Sequence, residues 1–314
     1  MEKFFLSEFP ELSRETLRFI KKGFDASYRA FSREYGDTIE AVFDPVLYFL
    51  VWFEKLLQNS PWPLVLICFL VIIYFGSRKI SVTIGSLFAF LLIGIFGMWE
   101  DTMSTVSIIG VCTLLSIGIG IPVGVLMAKS ERAQRICTPI LDVMQTMPSF
   151  VYLIPVVMLL GIGKIPGLLA VVIYAIPPII RLTNLGIREV DSEVLEAADA
   201  FGANPRQKLF QIQLPLALPT IFAGINQTIM MALAMVVIAS MIGVKGLGQP
   251  VLKAITNQYF AMGLFNGLAI VALAIIFDRV SQSFGHRIQQ HRSVQESKLE
   301  IKLLPNKIFK FFIN

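Results

Sequence analysis

The sequence predicts an all-α, polytopic membrane protein with about seven transmembrane helices, and three observations predict it. Apolar residues make up 55% of the 314-residue chain and charged residues only 16%, with a mean hydropathy of +0.70. A soluble domain carries about 25% charged residues. Apolar windows recur along the chain at close to the length of about 20 residues that a helix needs to cross the hydrocarbon core. Basic residues also gather in alternate loops, as the positive-inside rule requires. These features exclude a disordered chain and argue against a soluble enzyme. The net charge of +5 is too small and too scattered for a nucleic-acid binder. Cys68, Cys112 and Cys137 form neither a disulfide framework nor a CxxC metal pair, and His286 and His291 are too few for a histidine-rich metal site.

Taken in order, residues 1–60 form an N-terminal segment, mixed in charge up to residue 43 and helical in pieces. Asp44 suits an N-cap and Pro45 a first helical position. The apolar, aromatic stretch 46–57 then reads as an amphipathic helix, either lying on the outer membrane surface or packed against the spans. Spans follow near 62–76, 80–98, 103–128, 143–163, 165–181, 216–243 and 262–278, those within 61–100 being accessory to the rest. The basic loops are those with Arg78 and Lys79, with Lys129, Arg132 and Arg135, with Arg181, Arg188, Arg206 and Lys208, and with Arg279, Arg287 and Arg292. They place the C-terminus in the cytoplasm and, with seven crossings, the N-terminus outside. If the short span 62–76 does not cross, the N-terminus is cytoplasmic instead. Residues 283–314, with Lys298, Lys302, Lys307 and Lys310 beside Phe309, Phe311 and Phe312, read as a cytoplasmic tail, frayed or touching lipid.

The loop between spans five and six carries the most information. Asp191 or Ser192 can cap a short helix and Gly202 can end it in a left-handed turn. Asn204 then caps a second helix, with Pro205 at its first position and Gln207 completing a capping box. Pro215 is expected to stop that helix. Ala197, Ala198 and Ala200 keep the first helix thin enough to enter a groove, and Phe210 and Ile212 are expected to anchor the bracket.

The chain offers no fuel of its own. It has no phosphate-binding Gly-x-x-x-x-Gly-Lys-Ser/Thr loop; the nearest approach, Gly161 to Lys164, continues with isoleucine. A charge at mid-membrane costs about 2.5 kcal/mol or more, so ion-coupled carriers reveal themselves by buried carboxylates or histidines. Here only Asp142 and Asp278 lie near the spans, both at their ends, where they read as boundary residues.

The run Glu196, Ala197, Ala198, then Gly202, then Phe210, Ile212, Leu214 and Pro215 resembles the EAA loop of permease subunits of bacterial ABC importers. The intervals of six residues from Glu196 to Gly202 and thirteen from Gly202 to Pro215 are those of the family. DVMQTMPSFVYLIP at 142–155, IPPIIRLT at 176–183, GINQTIM at 224–230, VVIASMIG at 236–243 and KGLGQ at 245–249 are similar to the permeases for glycine betaine, proline betaine and related quaternary amines. Lys245 departs from the small residue expected there. This closer resemblance covers residues 102–282 and is weak over 1–100.

The resemblance implies a five-helix type I ABC importer permease core and a translocation pathway for glycine betaine, proline betaine, choline or a related compatible solute. It implies no catalytic residue and no metal or cofactor on this chain. ATP and Mg would be held by a separate ABC ATPase, present in two copies, on which the EAA loop docks. A permease homodimer, an extracytoplasmic substrate-binding protein and a multi-pass position in the bacterial inner membrane complete the picture. Pathway or gate candidates are Met144, Met147, Pro148, Phe150, Tyr152, Asn226, Met230 and Met241, although apolar helix packing explains each methionine equally well. Two other readings stay open: an ion-coupled secondary transporter or channel, and a membrane scaffold without a solute pathway.

Overall fold

A computed structural model describes residues 11–283 and Gly285. The expected tail at 283–314 falls outside these except for Ser283 and Gly285, as do the first ten residues. The regular structure of the described residues is helical, with no strand among them.

The first helix, α1 (Arg14–Asn59), is one continuous helix capped by Ser13, whose hydroxyl accepts from the amide of Thr16 at 3.2 Å. The expected start at Asp44–Pro45 is therefore corrected: α1 runs through Pro45. A proline inside a helix costs about 3 kcal/mol, and here both flanks are held. Upstream, Ser32 donates to the carbonyls of Met158 and Leu159, and Tyr28 to that of Pro155. Downstream, Leu50, Glu54 and Leu57 are buried. Helix α2 (Trp62–Ser77) bends away by 112°, and α3 (Ile80–Ile95) packs back on it.

Among the described residues four helices are long and apolar enough to cross a membrane: α4 (Trp99–Lys129), Lys164–Arg188, Pro205–Ile242 and α13 (Phe260–Ser283). Two bent pairs raise the number of crossings to as many as six, and α3 is a shorter apolar helix. The stretch 143–163, expected as one straight span, is instead broken. Helix α5 (Glu131–Thr146) meets a 3-10 turn (Ser149–Tyr152) and α6 (Leu153–Leu160) at 112°, with the bend at Met147 and Pro148. Proline disfavours helical geometry in the residue before it, and Met147 is accordingly extended.

Lys164–Arg188 comprises α7 (Lys164–Ala175) and α8 (Pro177–Arg188), joined at Ile176. Pro177 and Pro178 occupy the first two positions of α8 and lack two amide hydrogens, so the ladder is thinned there without breaking the span. Helix α8 lies between α4 and the later helix α11 (Leu214–Ala239). Close approach explains the glycines on its flanks. A Cβ at Gly124 would stand 2.6 Å from Thr183 Cβ and 2.7 Å from the carbonyl of Ile180, and one at Gly224 would stand 3.1 Å from Leu182 Cβ. Without a hydrophobic drive between helices in lipid, such tight contacts supply the van der Waals attraction. Gly118 faces open space instead.

Two apolar clusters result. One gathers Ile109, Val171, Met235 and Leu247. The other gathers Met127, Leu141, Ile179, Ile187, Leu209 and Ala217 and sits under the loop between α8 and α11. Helix α12 (Gly248–Asn257) precedes α13, which enters the first cluster through Ala269, Leu273 and Ile276.

Candidate functional site

The loop after α8 forms two short arms around Gly202. The Asp191 carboxylate accepts from the amide of Glu193 at 2.9 Å and opens α9 (Ser192–Ala200). The helix closes with a Schellman pair of bonds: the Gly202 amide donates to the Asp199 carbonyl at 2.9 Å, and the Ala203 amide to the Ala198 carbonyl at 3.0 Å. Gly202 takes φ +75°, and a Cβ there would meet nothing. The requirement for glycine is therefore conformational, since side chains resist the left-handed region.

Asn204 and Gln207 form the expected reciprocal capping box, each bond 2.9 Å long, with Pro205 at the first position of α10 (Pro205–Gln207). Lys208 Nζ reaches back to Asp199 Oδ1 at 2.6 Å and joins the two arms. Both arms are thus closed by local bonds before any partner is considered.

The second arm does not stop at Pro215. It widens into a π-helical segment (Lys208–Gln213), in which the Leu214 amide donates to the carbonyl of Leu209, and then continues as α11. The helix is unbroken from Pro205 to Ile242. The reason is local: the wide turn shifts the ladder by one residue just where Pro215 has no amide hydrogen to offer.

The anchoring residue also differs from expectation. Phe210 is exposed (65%), whereas Leu209 beside it is 3% exposed and sits in the second cluster against the spans. Ile212, Leu214 and Pro215 are half-buried. Glu196 and Ala197 are exposed on α9, and Ala198 faces inward. Phe201, which the sequence reading passed over, is almost wholly exposed beside Gly202. Phe201 and Phe210 are thus two uncovered aromatic rings on an otherwise polar bracket.

Polar clasps hold the base of the bracket. Arg188, in the last turn of α8, donates to Glu131 Oε1 at 2.7 Å, to the Met127 carbonyl at 3.0 Å and to Asn184 Oδ1 at 3.1 Å. It thereby binds the ends of α4 and α5. Two turns earlier Arg181 pairs with Asp142 of α5. Asp142 is thus a boundary residue with a partner. Asp278 accepts from Asn226 Nδ2 at 2.9 Å and from Gln282 Nε2 at 2.7 Å.

The gate candidates divide. Met144 and Tyr152 meet at the bend, where the Tyr152 hydroxyl donates to the Met144 carbonyl, and the buried Tyr152 ring stands edge-on to Tyr174 at 5.7 Å. Met144 and Met147 pack against the second and first clusters respectively. Asn226 is engaged between α11 and α13, donating to Asp278 and accepting from Ser281. Pro148, Phe150, Met230 and Met241 lie on the exposed surface of the chain. Tyr152 and Asn226 therefore brace helices, Met144 and Met147 pack, and Pro148, Phe150, Met230 and Met241 are uncovered.

A further polar group was invisible in the sequence. Glu54 of α1 is 5% exposed and pairs with Lys164 at the start of α7. Ser104 of α4 donates to its Oε1 at 2.9 Å, and Gln58 donates to Ser104 Oγ at 2.8 Å. Lys164 stands out in the sequence as the single basic residue of its loop, which is the one available signal; its partner 110 residues away carries none.

Among the described residues no group of acidic, histidine and cysteine side chains could hold a metal. Residues 120–290 match the family described as the binding-protein-dependent transport system inner membrane component. Over 241 residues the chain is 48% identical to the glycine betaine/proline betaine transport system permease protein ProW of Escherichia coli K12, covering 77% of this chain and 68% of that protein. Over 234 residues it is 46% identical to the glycine betaine/carnitine transport permease protein GbuB of Listeria monocytogenes, covering 72% and 81%. The fold is similar to a chain of the MetNI methionine ABC transporter, with a TM-score of 0.55 at 20% identity, covering 62% of this chain and 97% of that one.

Proposed function

Because the chain belongs to the family of binding-protein-dependent transport system inner membrane components, we propose that it forms the solute pathway of an ATP-driven importer for glycine betaine, proline betaine or a closely related quaternary amine. The relatives' substrates support the solute class. One observation supports the mechanism above others: the bracket at 191–213 is closed by its own bonds and runs without interruption into α11.

In this reading the bracket faces the cytoplasm and docks on a separate ATPase through Glu196, Ala197, Phe201 and Phe210. Two permease copies stand over two ATPase copies, which hold ATP and Mg. Closure of the ATPase pair pushes both brackets. A push on the second arm travels along a continuous helix into α11, and a push on the first arm reaches α8 and, through Arg188 and Arg181, α4 and α5. The helices then turn the pathway outward, where an extracytoplasmic binding protein delivers the solute. Recognition of a quaternary ammonium calls for an aromatic cage, which this reading places on the binding protein. The ion-coupled alternative is disfavoured, because the two carboxylates at the span ends, Asp142 and Asp278, are engaged in an ion pair and in hydrogen bonds.

The test is uptake of labelled glycine betaine into vesicles. Accumulation is expected only when this chain, its ATPase, the binding protein and internal ATP are all present. Accumulation by vesicles holding this chain alone, driven by an ion gradient, would overturn the reading.

A further inference from the structure

A groove among the described residues lies outside all of this. It has a volume of about 650 Å³ and runs between α3 and α13. Its two ends differ in chemistry. At one end stand Lys79, which immediately precedes α3, and Arg279, near the end of α13. Neither forms an ion pair with a carboxylate among the described residues, and the neighbouring Asp278 is occupied by Asn226 and Gln282. No side chain caps α3, so the positive end of that helix opens at the same place, beside Ser81. Away from this end the floor is small and apolar, lined by Gly85, Ala89 and Ala272. A Cβ at Gly85 would meet nothing within 4 Å, so this wall stands clear of the opposite one.

Two cations without an ion-pair partner among the described residues, with a helix N-terminus above an apolar channel, match one kind of molecule, an anion with a hydrocarbon tail. We infer that this groove binds an anionic phospholipid, with its phosphate between Lys79 and Arg279 and one acyl chain along Gly85, Ala89 and Ala272. Basic pockets between spans attract anionic head groups, each cation strengthening binding by roughly five- to sixfold. A free phosphate would satisfy the cations but leave the channel without a purpose, so the experiment separates the two.

The full-length protein in mild detergent is titrated with phosphatidylglycerol, with phosphatidylcholine of the same chain lengths and with inorganic phosphate, and bound adducts are counted by native mass spectrometry. Phosphatidylglycerol is expected to bind in preference to phosphatidylcholine and to resist displacement by phosphate. Lys79→Gln with Arg279→Gln should weaken it roughly thirtyfold, whereas the exposed pair Arg132→Gln with Arg135→Gln should leave it unchanged. Gly85→Leu, which keeps both charges and fills the channel, should also abolish the preference; Ala272→Leu repeats that block from the facing wall should the first variant fold poorly. Equal retention of the two lipids, equal loss in the Arg132/Arg135 control, displacement by phosphate, or unchanged binding in the channel-filling variants would each overturn the inference.

Discussion

Leu209 and Phe210 are adjacent apolar residues with opposite surroundings, and they separate stability from docking. Leu209 is buried against Met127, Leu141 and Ile187. Leu209→Ala should cost about 2–5 kcal/mol through the cavity it leaves, seen as a fall in the thermal midpoint in detergent. Phe210→Ala should leave that midpoint within about 0.5 kcal/mol equivalent while sharply reducing co-purification of the ATPase. The reverse pattern would remove Phe210 from the proposed contact. At this scale the caps were legible in the sequence: Asp191, Gly202, Asn204, Pro205 and Gln207 act where their chemistry places them. Which of two neighbouring apolar residues points inward was not, because it depends on helix phase, and the phase depends on the wide turn that follows.

Elements were legible where a single rule governed them and were misread where packing overrode a local signal. Pro45 and Pro215 both suggest a boundary, and the helices pass through both. Pro45 is carried by docking on either side, and Pro215 by the π-helical segment before it. The bend at Met147 and Pro148 is the converse: apolarity alone made 143–163 a single span, although the proline marked the break. The wide turn makes a prediction of its own. A π segment contains one residue more than the regular helix it replaces, so removing Gln211, which is exposed, should close the turn into ordinary α-helix and leave both flanks in phase. Removing Gln227 instead turns one flank by about 100° against the other and takes Gly224 off its contact with α8. The first deletion should insert and resist proteolysis like the parent, and the second should be degraded. Equal survival of the two would show that the turn holds no spare residue.

For the whole molecule, the membrane class, the basic bias and the core of packed spans follow from composition and spacing, but the attachment of α1 does not. An ion pair between residues so distant in sequence leaves little trace in either neighbourhood. Glu54 and Lys164 join α1 to α7, with Ser104 of α4 completing the group. Lys164 keeps 28% of its side chain exposed, so removing Glu54 strands that charge only in part and costs about 1–3 kcal/mol. Glu54→Ala should therefore lower the thermal midpoint and expose α1 to protease. Glu54→Ala with Lys164→Met should be less destabilised than the sum of the single variants; strict additivity would mean that the pair does not couple α1 to the spans.

An importer must undo every movement it makes, many times over. A span flexing through an intact stretch of helix would rupture backbone bonds at each opening, in surroundings where no water replaces them. At Pro177 and Pro178 two of those bonds are missing from the outset. Flexion at that joint has two fewer backbone bonds to strain, so it costs the span less there than in an intact stretch of helix.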